Sequence, residues 1–217
     1  TVIDAAIFTN LSHDHLDYHG DISTYAQAKQ RLFAMPQLRF AVINSDDEYG
    51  RKIIDTLSAD VRLLRYSVID QHQDPAQSSV NHQAQVTGRL LRMDHNGLEL
   101  HVVTPWGEGR IQSPLLSRFN ASNLLATLSM LLLMDMPLKE AIKKLADLRT
   151  VPGRMEYFRG QHGQPLVVVD YAHTPDALKQ VLQTLREHCQ GQLWCVFGCG
   201  GDRDKSKRPL MGSVAER

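Results

Sequence analysis

No apolar run in the 217 residues reaches the length that crosses a bilayer, and the start carries no basic-then-apolar leader pattern. Net charge is missing too, with Lys+Arg and Asp+Glu at 24 each. No global field therefore draws the chain to nucleic acid or to an anionic membrane, and any anion must be met by a local cluster. Cysteine is scarce. Cys189, Cys195 and Cys199 form no CxxC pair, which argues against a zinc ribbon and a disulfide framework and fits a reducing cytoplasm. There is no internal repeat and no GxxxxGK[ST] phosphate loop. Apolar residues nevertheless make up 42%, enough for a sizeable core and unlike a disordered chain. The length allows one large domain or two modest ones.

Residues 5–9 read as a strand that opens into a polar loop over 10–20. From 22 to 35 the apolar positions Ile22, Tyr25, Ala26, Leu32 and Phe33 share one helical face, with Pro36 just beyond. Residues 40–44 read as a short buried strand, and a helix is expected from Asp46 onward. Alternation of this kind points to a mainly parallel, helix-covered sheet. The Gln-, His- and Ser-rich stretch 70–85 is expected to be an exposed connection. Strands over 85–93 and 98–103 flank Asp94-His-Asn-Gly97, which favours an antiparallel hairpin, and 109–113 adds a third strand. Helices are expected over 120–134 and 138–148, separated at Pro137. Val151-Pro-Gly-Arg154 reads as a junction. Beyond it a strand at 166–170, a helix at 175–188 and a strand at 193–198 spell a Rossmann-style βαβ unit. The opening residues read as the body of a strand and the closing ones as an unfinished helix, so the chain is expected to be part of a longer protein. The expected fold class is α/β. An incomplete central domain over 1–151, mainly parallel with a small antiparallel hairpin element, precedes the start of a Rossmann-like C-terminal domain over 152–217.

His13-Asp-His15-Leu-Asp17-Tyr-His19 places three histidines and two aspartates within seven positions. Such a cluster after a buried strand can hold a metal, or its histidines can merely cap backbone groups. Two-zinc hydrolases use HxHxDH; the extra residue here, HxHxDxH, displaces the last histidine from that arrangement. Lys29 falls on the apolar stripe, four after Tyr25 and three before Leu32. A lysine there either snorkels to water or loses solvent, becomes partly neutral and can add carbon dioxide to give a carbamate, an anionic oxygen pair suited to Mg²⁺. Asn120 and Asn123 open a long helix and serve either as caps or as readers of a nucleobase edge. Asp170, at a strand end before a helix, stands where α/β folds bind ligands and can accept from ribose hydroxyls; Arg154 can meet phosphate. Taken singly, each reads first as a turn former or a surface charge. From Gly198 to Arg208 a Gly-rich turn is joined to four cations, a combination that binds anions unless it is a solvated loop.

TNLSHDHLDYHG, YAQAK, INSDDE, FNASN, PGRME, DYAHTPDAL and VFGCGGDRDKSKRP follow one another along the chain. In that order they resemble the motifs of the Mur ligases, in particular those that add diaminopimelate to a UDP-muramoyl dipeptide. The likeness spans nearly the whole chain and loosens through 60–85. It implies an ATP-dependent amide-bond ligase of peptidoglycan precursor synthesis, cytoplasmic and monomeric. ATP and Mg²⁺ would be the cofactors, and UDP-MurNAc-L-Ala-D-Glu and meso-diaminopimelate the partners, with no nucleic acid and no membrane insertion. By the same resemblance His15 would ligate the metal and Lys29 would be carbamylated to orient Mg²⁺. Asn120 and Asn123 would lie near adenine; Arg154, Asp170 and His173 would contact ATP; Arg203 would meet the incoming amino acid. Two domains, each carrying half the ATP contacts, would close around the reaction and exclude water. The phosphate loop and a Mg²⁺-holding glutamate segment would precede Thr1 in this family, and the remaining selectivity motif would follow Arg217. These residues alone are therefore expected not to turn over ATP. The rival readings are a lysine-adding or folylpolyglutamate-type ligase of the same superfamily and, in another class, a zinc hydrolase built on the HxHxDxH cluster.

Overall fold

The computed structural model describes residues 2–11, 22–69, 85–94, 97–161, 163–189, 191–201 and 205–216. The chain divides into two compact units, the change falling between Leu148 and Arg149.

The first unit is built on one six-stranded sheet whose spatial order follows the chain: β1 (Ala5–Phe8), β2 (Phe40–Asn44), β3 (Arg62–Ile69), β4 (Gln85–Asp94), β5 (Gly97–Thr104) and β6 (Gly107–Ser113). The pairings from β1 to β4 are parallel and the last two antiparallel. The expected antiparallel hairpin forms as β4 and β5. It continues the parallel sheet because β3, a strand not foreseen, pairs with β4. Leu64, Tyr66 and Val68 of β3 alternate inward while Arg65 and Ser67 interrupt its apolar pattern.

Helices α1 (Ile22–Phe33), α2 (Glu48–Thr56), α3 (Arg118–Leu133) and α4 (Leu138–Ala146) complete this unit. Successive residues of a strand point to opposite faces, and β2, buried at all five positions, feeds two separate cores. Phe40 and Val42 join Leu64, Tyr66 and Val86 beneath α3, whose Leu124, Leu125, Leu128 and Leu132 recur at helical spacing. Ala41 and Ile43 join Phe8, Phe33 and Ile53 on the side of α1 and α2. Gly88 on β4 lets α3 approach, since a Cβ there would lie 2.7 Å from a Leu125 methyl. Helix α4 starts after Pro137 and ends with Lys143 and Lys144 in its last turn, where cations favour the helix dipole.

The second unit holds an antiparallel pair, β7 (Glu156–Arg159) and β8 (Leu166–Val169), then α5 (Pro175–His188) and α6 (Lys207–Ala215). Helix α5 starts where Thr174 accepts the Ala177 N–H and Pro175 follows. The strand expected at 193–198 does not form. That stretch has no sheet partner among the described residues, and Trp194 and Val196 are 83% and 98% exposed. A run of apolar residues makes a strand only where a neighbour takes up the backbone N–H and C=O groups. Of the βαβ unit, the first strand and the helix form, and its second strand is an extended segment without sheet pairing among the described residues. Among the described residues no helix is long and apolar enough to cross a membrane.

Candidate functional site

Parallel strands β1 and β2 end almost level, with Phe8 beside Ile43, while β3 runs on past Arg65 to Ile69. The C-terminal edge of parallel strands is where open α/β sheets place ligands. The chain leaving β1 is gripped there residue by residue. Asn44, nearly buried, donates from Nδ2 to the Thr9 carbonyl (2.7 Å) and accepts the Asp46 N–H (2.9 Å). Lys29 donates from Nζ to the Asn10 carbonyl (3.2 Å) and lies 4.8 Å from the centre of the Tyr25 ring. Leu11 donates its N–H to Asp47 Oδ2 (3.0 Å). The other oxygen of Asp47 caps α2 by accepting from Tyr49 and Gly50. Asp46 ties the same loop to β3 through the Ser67 hydroxyl (2.6 Å) and the Val68 N–H (2.9 Å).

Lys29 is half-buried rather than sealed in the core. Ile22, Tyr25, Ala26 and Leu32 of its helix pack partly against the second core, as their spacing led us to expect, and the lysine reaches from that stripe to the strand exit. His13, His15, His19, Asp14 and Asp17 lie outside the described residues. Among the described residues no group of three or more His, Cys, Asp or Glu could hold a metal ion.

At the start of α3, Ser117 is fully buried with φ of 85°, a conformation that costs a non-glycine residue energy, and its side chain caps the helix by accepting the Asn120 N–H. Asn120 donates from Nδ2 to the Leu116 carbonyl (2.7 Å) and accepts from Asn123 Nδ2 (3.4 Å). Its amide is thus committed to the helix start. Asn123 is exposed, and the bond to Asn120 uses only its amide nitrogen. Nearby, Tyr66 is buried with a hydroxyl that meets no hydrogen-bond partner in good geometry among the described residues. Burial pushes its phenol up to about 12; Asp46 and Asp47 add in the same direction and the Ser122 hydroxyl works against them.

In the second unit the register of β7 against β8 pairs Glu156 with Val169, so one step further out Met155 faces Asp170. Asp170 accepts the Met155 N–H (2.8 Å) through one oxygen and the Ala172 N–H (2.8 Å) through the other. Met155 is fully buried at φ of 47°, and this hydrogen bond pins it. Glu156 accepts the Gly153 N–H, closing the preceding turn. Arg154, Asp170 and His173 are therefore brought together, around Tyr171. The Arg154 guanidinium lies 4.9 Å from the centre of the Tyr171 ring, and the His173 ring meets that ring edge-on at 5.3 Å. Arg203 lies outside the described residues.

Sequence reasoning passed over Asn44, Asp47 and Tyr171. Asp47 had a signal, an acidic residue just ahead of an amphipathic helix, which marks a cap. Asn44 and Tyr171 had none, because their partners are 35 residues away or depend on the hairpin.

Residues 1–131 match the family model of the Mur ligase middle domain, and 153–217 match the Mur ligase glutamate ligase domain. The chain belongs to the Mur ligase family. A UDP-N-acetylmuramoyl-L-alanyl-D-glutamate–2,6-diaminopimelate ligase of Coxiella burnetii (strain RSA 493 / Nine Mile phase I) is 50% identical over 99% of the chain and 42% of its own length. A protein of the same name from Pseudomonas aeruginosa is 50% identical over 99% of the chain and 41% of its own length. This Mur ligase chain thus spans about two-fifths of the curated relatives it matches. A solved structure of a ligase of that name superposes with a TM-score of 0.68 at 39% identity, covering 100% of this chain and 42% of the other. A Mycobacterium tuberculosis folylpolyglutamate synthase, solved with ADP and AMPPCP, gives a TM-score of 0.60 at 25% identity over 84% of this chain and 39% of its own. The Mur ligase fold of mixed α/β type is shared by both.

Proposed function

We propose that this chain is part of an ATP-dependent ligase that joins meso-diaminopimelate to UDP-MurNAc-L-Ala-D-Glu. The carrying observation is that relatives about 50% identical across 99% of the chain bear the name of that enzyme. In this reading residues 1–151 belong to the central ATP-binding domain and 152–217 to the C-terminal domain, and the protein works as a cytoplasmic monomer.

The reaction consists of two transfers. The γ-phosphoryl of ATP passes to the terminal carboxylate of the dipeptide, releasing ADP. The amine of diaminopimelate then attacks the acyl carbon, phosphate leaves, and the amide forms with loss of a proton. Bringing a carboxylate to a triphosphate opposes like charges, so the site must offer cations and fixed donors. Arg154 fits that need, since its side chain makes no hydrogen bond or ion pair among the described residues. Asn123, exposed at the start of α3, is assigned to the adenine edge, whereas Asn120 acts by holding that helix start. Asp170 keeps acceptor capacity beyond its two backbone N–H groups, and His173 stands beside it at the same loop.

A feature of the described residues that bears on a hard-cation site is the Asn10 carbonyl, an oxygen donor 3.2 Å from the Lys29 Nζ at the exit of β1. Mg²⁺ would be held by His15 and a Lys29 carbamate and would supply neutralisation of phosphate charge. Arg203 is assigned to the carboxylate of the incoming amino acid. The test is ADP release by the purified parent enzyme given UDP-MurNAc-L-Ala-D-Glu and diaminopimelate. Equal turnover with lysine, or glutamate addition to a folate, would overturn the substrate assignment.

A further inference from the structure

We infer that Tyr171 is a positioning residue whose ring seats the Arg154 guanidinium, leaving its N–H donors free for a phosphate of ATP. The inference rests on the reading of Arg154 as an ATP-contacting group. Packing does not explain Tyr171: the side chain is 64% exposed in the loop after β8. What it touches is specific. Arg154 lies over the ring and His173 meets its edge, while the His173 Nδ1 lies 3.0 Å from the Tyr171 carbonyl. Asp170 fixes both backbones that carry the pair, taking the N–H of the residue after Arg154 and that of the residue after Tyr171.

A guanidinium resting on an aromatic face is held without spending its in-plane donors. Arg51 and Arg110 show the contrast, since they direct donors at a carbonyl and a carboxylate respectively. An exposed arginine with no such partner would otherwise sample many rotamers, and a phosphate would have to order it on binding. Seated on Tyr171, it is ordered beforehand and can fork onto two phosphate oxygens.

Steady-state kinetics of the full-length ligase with Tyr171→Phe, Tyr171→Leu, Arg154→Ala and the Tyr171→Leu/Arg154→Ala double variant test this. Tyr171→Phe keeps the ring and should leave the KM for ATP unchanged. Tyr171→Leu should raise that KM roughly two- to five-fold, with kcat and melting temperature close to the parent. In the Arg154→Ala background Tyr171→Leu should add nothing, because the tyrosine acts only through the arginine. A rise on Arg154→Ala with none on Tyr171→Leu, or full additivity of the two, overturns the inference while leaving the function of Arg154 standing. No change in KM on Arg154→Ala overturns both.

Discussion

Replacing Asp47 by alanine should unfasten the exit of β1 and the start of α2 together. One carboxylate oxygen accepts from Tyr49 and Gly50 and the other from Leu11, so three N–H groups lose their acceptor. Loss of a helix cap costs about 0.5–2 kcal/mol. The Leu11 N–H, in a residue only 9% exposed, is left without a partner at a further cost of about 1–3 kcal/mol. The expected total is roughly 1.5–5 kcal/mol. Asparagine separates the two contributions. Its carbonyl oxygen can keep the cap, but its NH₂ then faces the Leu11 donor, so Asp47→Asn should lose only the second part. Urea unfolding followed by circular dichroism gives the totals, and hydrogen exchange at the Leu11 amide reports the strand exit directly. If Asp47→Ala stays within about 0.5 kcal/mol of the parent, or if Leu11 exchange is unaltered, the claim that Asp47 holds the chain leaving β1 is wrong.

Tyr66→Phe should be neutral or stabilising near pH 7, because it removes a buried hydroxyl that has no well-aligned partner among the described residues. Its advantage should grow with pH. The folded-state pKa is raised from 10.0 to about 12, so the parent loses stability as pH rises through that window, by roughly 1.4 kcal/mol per pH unit, and the phenylalanine variant does not. Paired denaturation curves from pH 9 to 12 check this. Gly50→Ala drives a Cβ into the Asn44 carbonyl oxygen and should cost about 2–4 kcal/mol. Gly153→Ala, at φ of +71° with open space around it, should cost only about 1 kcal/mol of backbone strain, read by the same melts. Asn123→Ala in the parent enzyme should raise the KM for ATP several-fold without lowering the melting temperature, whereas Asn120→Ala should lower it through the lost bond to Leu116. The reverse pattern would exchange the two roles.

Much of the fold was legible because local chemistry and tertiary packing agree. Thr174 and Pro175 announce the start of α5, and the uninterrupted apolar run of β2 announces a strand buried on both faces. The failures occur where a partner decides. Arg65 and Ser67 conceal β3 because their face of the sheet tolerates polar side chains, and Glu156 and Arg159 conceal β7 at the ends of a short hairpin. Residues 193–198 show the opposite failure: an apolar run with no neighbour to pair with among the described residues. At the site, Lys29 stood out by spacing, but the Asn10 carbonyl that receives it could not be read from the helix alone. Arg154, Asp170 and His173 were singled out one by one as motif residues. Their meeting at Tyr171 depends on the register of β7 against β8, which no local pattern encodes.

Strand β2 is a party wall. Val42 leans into the room beneath α3 and Ile43 into the room beneath α1, and both are sealed from water. Neither room can slacken without moving the wall on which the other rests, so the two sides of the sheet should melt together. A cavity cut at Val42 would then be felt at Asn44, two residues along, and through it at the Thr9 carbonyl where the chain departs.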